Sequence, residues 1–117
     1  MNIESLRNYC LNKFGTEECF PFDEHTLVFK VKGKMFALIP LDEEMLFVNL
    51  KCDPEYAVEL RERYSEITPG YHMNKTHWNT VLINGQLPEN LIYELIDHSY
   101  VLVVKSLPVR LRKELGY

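Results

Sequence analysis

Cysteine is sparse in this chain of 117 residues, and its three copies, Cys10, Cys19 and Cys52, form no CxxC pair. Their spacing fits no zinc ribbon, and three is an odd number for a disulfide framework. They read as reduced thiols, partly buried as small core hydrophobes. No apolar run approaches the ~20 residues of a membrane span. The N-terminal MNIESLRNYC has no basic stretch ahead of an apolar one, so no secretory signal is expected and the cytoplasm is the expected compartment. Glycine numbers only 5, and no P-loop, GxSxG or GxGxxG is built from it. No Cys–His spacing suggests a dyad, so no enzyme activity and no cofactor are expected. Repeats, low-complexity tracts and linkers are missing as well. Basic excess is also lacking. Lys and Arg total 13 against 17 Asp and Glu, a net charge of −4, which argues mildly against a nucleic-acid partner.

What remains is the make-up of a folded domain. Apolar residues form 46% of the chain and charged ones 26%, as in ordinary globular proteins. The length suits one domain spanning 1–117 with one core. The charge is unevenly spread. Residues 1–66 carry 8 basic and 13 acidic side chains, and residues 67–117 carry 5 and 4.

Asn2 is placed to cap a first helix, with Ile3, Leu6, Cys10 and Phe14 on one face and Gly15 as its stop. Residues 16–25 read as an irregular acidic connection. Three strand-like runs follow, at 26–32, 35–41 and 45–51, joined by a tight tip at Lys32-Gly33-Lys34 and a turn at Asp42-Glu43-Glu44. The middle run is apolar on both faces, as a central strand can be. Asp53-Pro54 opens a second helix, with Ala57, Leu60 and Tyr64 inward. Thr68-Pro69-Gly70 turns the chain, and Trp78 to Ile83 reads as another strand closed by Asn84-Gly85. Pro88 opens a long helix through Leu91, Leu95, Ser99 and Leu102. Val101 to Val104 continue its spacing, so they are read as helix. Pro108 breaks it before a short basic turn. The expected fold is α+β, an antiparallel sheet with helices on one face in the order α-β-β-β-α-β(β)-α.

One segment, Gly70 to Val81, concentrates the chemistry: GYHMNKTHWNTV. With Cys52-Asp53-Pro54, Thr68-Pro69-Gly70, Asp97-His98-Ser99-Tyr100 and Leu107-Pro108, its Tyr71-His72-Met73-Asn74-Lys75 and His77-Trp78-Asn79-Thr80-Val81 resemble the MmcQ/YjbR family over nearly the whole chain. The resemblance implies a compact α+β fold described as similar to frataxin-like (CyaY-like) or secretion-chaperone-like domains. It also implies a DNA-binding role proposed for the family, through a double wing of β-hairpins.

Two readings of the segment follow. In the first it grips nucleic acid. Lys75 neutralises phosphate, Asn74 and Asn79 hydrogen-bond phosphates or base edges, and His72, His77 and Trp78 pack on sugars and bases. Lys32 and Lys34 form a wing tip, with Arg110 and Lys113 extending the surface alongside Lys51, Lys105 and Arg112. In the second it is a rigid corner in which Trp78 is core and the asparagines tie down backbone amides. A protein-binding or chaperone-like adaptor, or a homodimer, then becomes the functional alternative. His72 and His77 are five apart, off the spacing of a helical ligand pair, and Asp97 and His98 diverge by about 100° on a helix. Neither pair suggests a metal or catalytic site.

Overall fold

The computed structural model describes residues 1–117. Its first helix, α1 (Ile3–Leu11), is capped as the sequence indicates: Asn2 Oδ1 accepts the Ser5 N–H at 2.9 Å, and Ser5 Oγ accepts the Asn2 N–H. The helix ends before Phe14, so Phe14 is exposed and not on the core face expected of it. A strand follows at once, β1 (Thr16–Cys19), where an irregular connection is expected. Its four residues carry no apolar alternation to mark them. Pairing with β2 (Thr26–Val31) makes the strand.

β2 turns into β3 (Lys34–Pro40) through Lys32 and Gly33, whose φ angles of 49° and 79° are both positive, as a two-residue hairpin of type I′ requires. A β-bulge shifts the register between Phe29 and Lys30 and leaves Phe36 unpaired. Phe36 and Ala37 are both fully buried. β4 (Phe47–Lys51) pairs with β3 on one side and with β6 (Trp78–Leu82) on the other, and β5 (Ile67–Pro69) closes the sheet beyond β6. The result is a six-stranded antiparallel sheet in the order β1-β2-β3-β4-β6-β5.

The helices lie on one face. α2 (Pro54–Arg63) begins at Asp53, whose side chain accepts the Tyr56 N–H. α3 (Glu89–Lys105) packs over β2, β3 and β4, and α4 (Val109–Glu114) follows Pro108. Alternation along each strand sends Leu27, Phe29, Val31, Ile39, Val48, Leu50 and Val81 into a core of 25 buried residues with α3's Ile92, Ile96, Tyr100 and Val103. The opposite face has a second, smaller apolar cluster of Val28, Leu38 and Trp78. No helix covers that face.

α3 fastens the layers with four consecutive residues, each about 100° around the helix from the last. Asp97 accepts the Tyr9 hydroxyl at 2.8 Å and pairs with Lys13. His98 Nε2 accepts the Asp53 N–H at 3.1 Å. Ser99 Oγ accepts the Lys51 N–H at 2.9 Å and donates to the Phe36 carbonyl. Tyr100 donates its hydroxyl proton to the Phe14 carbonyl. Ser99 thus replaces the ladder bond where β3 and β4 part beyond the Ala37–Leu50 pair.

Candidate ligand-binding face

Gly70 to His77 form a strap that crosses the helix-free face of the sheet. Gly70 starts it because space is short: a Cβ there would lie 2.8 Å from Trp78 Cβ and 3.0 Å from the Trp78 carbonyl oxygen. Two polar side chains of the sheet, bonded to each other, then dock the strap. The Asn49 side-chain amide donates to the Tyr71 carbonyl at 3.1 Å, Thr80 Oγ1 accepts the Tyr71 N–H at 2.8 Å, and the Thr80 hydroxyl donates to Asn49 Oδ1 at 2.6 Å. Tyr71 also stacks on Phe47 with ring centroids 6.0 Å apart. His72 adopts a φ of 60°, a conformation histidine tolerates better than most side chains, and its ring meets Tyr71 edge-on.

The far end of the strap is held from the helical side. Arg61 on α2 donates to Asn79 Oδ1 at 2.6 Å, to the Trp78 carbonyl at 3.2 Å and to the Lys75 carbonyl. Lys75 Nζ turns back to the Gly70 carbonyl at 2.8 Å. Asn74 Oδ1 accepts the Thr76 N–H, and the His77 carbonyl accepts the Cys52 N–H. Arg61, Asn49 and Thr80 carry this corner, and the sequence assigned a role to none of them, although Thr80 lies within the family motif. Their partners lie 9 to 31 residues away, so no local pattern marks them.

The candidate residues therefore separate into groups. Trp78 and Asn79 are 8% and 2% exposed, so they are corner and core here and present no face to a nucleic acid. Most polar side chains of the 70–81 segment hold backbone: those of Asn74, Lys75, Asn79 and Thr80 do so. Asn74 is exposed but spends its Oδ1 on the turn, and His77 is exposed. Lys32 pairs with Glu114 at 2.7 Å, which holds the Glu114 carboxyl below its usual range. Arg110 lies near enough to Glu114 to lower it further. Lys34 and Lys113 are exposed and in no ion pair. The register sets Lys34, Lys51 and the start of β6 at one end of the sheet, and Lys30 and Lys51 alternate onto the helix-free face with Trp78.

The strap covers only part of that face. Between it and the connections around residues 20–25 and 41–46 lies a cleft of about 420 Å³. Its floor is Met35, Leu38 and Phe47, with Asn49 and Thr26. Tyr71, His72 and Met73 form one wall, and Phe22, Asp23, Asp42 and Glu43 the other. Asp23 is held below the usual carboxylate range by the N–H groups of His25 and Thr26, which donate to it at 2.8 and 2.7 Å. The thiols of Cys10 and Cys52 are elsewhere, under the helices, and burial pushes them up to about 12 and about 11, so neither is a thiolate at neutral pH.

These features define a class: a small α+β domain with helices on one face of an antiparallel sheet and a strapped, cleft-bearing face opposite. The YjbR family model matches residues 11–102, and the chain belongs to the YjbR family. It is 40% identical over 113 residues to the uncharacterised protein YjbR of Escherichia coli (strain K12), covering 97% of this chain and 96% of that protein. The uncharacterised protein YbdF of Escherichia coli O157:H7 is 38% identical, with 94% of this chain and 90% of that one covered. The crystal structure of Deinococcus radiodurans protein DR2400 superposes with a TM-score of 0.92 at 44% identity, over 98% of this chain and 88% of that one.

Proposed function

We propose that the chain is a non-enzymatic binding module whose ligand face is the helix-free side of the sheet, and that it works as an adaptor for a polypeptide partner. One observation carries the reading. The strap stops short of covering the sheet, and the uncovered part is a cleft with an apolar floor and exposed aromatic walls, Phe22 being 64% exposed and Tyr71 standing opposite. Apolar clefts with a few placed polar groups are the usual form of a binding site. The reading takes the cytoplasm as the compartment, and three free cysteines suit a reducing one. In-cell photo-crosslinking tests it. A benzophenone residue at Phe22 or Tyr71 is expected to give discrete polypeptide adducts, and the same probe at Val58 on α2 none. Equal or no labelling at all three positions refutes the adaptor reading.

A second reading, DNA binding, is supported by the unpaired Lys34 and Lys51 at the hairpin-tip end of the sheet, with Lys30 and the corner nearby. On this reading log affinity for a duplex falls with log salt at about −0.9 per phosphate neutralised. Lys34→Glu with Lys51→Glu is the cleaner test pair. Charge reversal at Lys75 also breaks its bond to Gly70. Fluorescence anisotropy at low salt that detects no association at tens of micromolar ends this reading.

A further inference from the structure

The cleft does not end at the β3–β4 turn. A wider depression of about 620 Å³ adjoins it, shares Pro40 and Glu43 with it, and reaches the start of α1. Pro40 and Glu43 form a rim common to both, so the two limbs flank residues 40–46. The charged side chains of both limbs have one sign: Asp23, Asp42, Glu43 and Glu44 line them, and no Lys or Arg does. The amino group of Met1, in the wider limb, is already paired with Glu89 at 3.0 Å. His72 supplies the only imidazole.

Resting on the adaptor reading, we infer that the occupant is a basic, partly apolar segment of another protein, lying across the β3–β4 turn. An apolar side chain enters the cleft against Met35, Leu38 and Phe47, and Lys or Arg side chains on either side face Asp42, Glu43 and Glu44. Charge complementarity selects this occupant. A phosphate backbone laid across the two limbs meets four carboxylates, and the one ammonium there, that of Met1, is already paired with Glu89. A small amine fills one lobe and leaves the other empty. Methionines at positions 35 and 73 suit an apolar guest of variable shape, because the unbranched thioether adapts its rotamers.

The test uses the isotope-labelled full chain and three short peptides with identical apolar residues that carry Lys, Gln or Glu at the remaining positions. The Lys peptide is expected to shift the amides of Phe22, Asp42, Glu43 and Tyr71. It should bind about tenfold tighter than the Gln peptide, since several exposed ion pairs each contribute a small factor, and lose that margin in salt. The double variant Asp42→Lys, Glu43→Lys alters two exposed side chains and is expected to fold as the parent and to lose the preference. Gln or Glu peptides that bind the cleft as tightly overturn the inference and leave the adaptor reading standing. Peptides that never shift cleft amides, with photo-crosslinks at Phe22 also missing, overturn both. Self-association of the parent chain that the double variant abolishes would make the occupant a second copy's basic end and overturn the assignment to another protein.

Discussion

Ser99 is fully buried, and its hydroxyl stands between two strands that have begun to separate. Replacing it by Ala leaves the Lys51 N–H and the Phe36 carbonyl without that partner in a dry place. Ser99→Ala is expected to destabilise the fold by about 3 kcal/mol, since each unsatisfied buried group costs roughly 1–3 kcal/mol. Urea denaturation should show a lower midpoint at unchanged slope. Arg61 is the second such residue. Arg61→Ala removes a donor from buried Asn79, one from the strap carbonyl of Lys75 and one from the carbonyl of Trp78. The strap should loosen before the sheet does. The only tryptophan, Trp78, reports this: its emission is expected to shift to the red in the folded variant, and an unchanged spectrum would remove Arg61 from that role. The sequence placed Ser99 on the helix face and in the family motif but showed neither residue's bonding role, because a serine on a helix face and an arginine near a helix end are ordinary. Their bonds span 63 and 18 residues.

At the scale of elements, α3 and α2 meet through one imidazole. Burial pulls the His98 pKa below its ordinary value, against the opposing pull of the Asp53 carboxylate. The neutral ring accepts the Asp53 N–H at the start of α2. The unfolded chain takes up this proton more readily than the folded one, so the contribution is complete above the unfolded value, near 6.5. It is lost as the pH falls from there through the lower folded value. Denaturation midpoints measured from pH 8 to pH 5 should fall, and His98→Gln, which keeps an acceptor but cannot take the proton, should flatten that part of the curve. The strap is the other element with a steric condition. Gly70→Ala drives a Cβ against Trp78 and is expected to displace the strap, visible as altered amide shifts from Tyr71 to His77.

At the scale of the molecule, charge is polarised across the helix-free face. Lys30 and Lys51 occupy the hairpin-tip end, and Asp23, Asp42 and Glu43 the cleft end. The net charge of −4 averages over two unlike regions. The isoelectric point from the sequence is about 5.5, and the exposed Phe20, Phe22, Leu41 and Met45 are then least protected by net repulsion. Light scattering across pH should show maximal self-association near that value, and Phe22→Ser should reduce it.

Sequence by itself determined the elements whose causes are local. The Asn2 and Asp53 caps, the Lys32-Gly33 hairpin, the break at Pro108 and the helical spacing of Val101 to Val104 each rest on neighbours within a few residues. The family was legible in the same way, from the ordered motif around Tyr71 to Trp78. Tertiary structure alone decided that Thr16–Cys19 is a strand, that Lys32 is neutralised by Glu114, and that Asn49 is buried beneath a strap. It alone left one side of the sheet open. These outcomes depend on pairings between residues far apart in the chain, and a side chain's burial or charge balance is set by what arrives beside it, not by what precedes it in sequence.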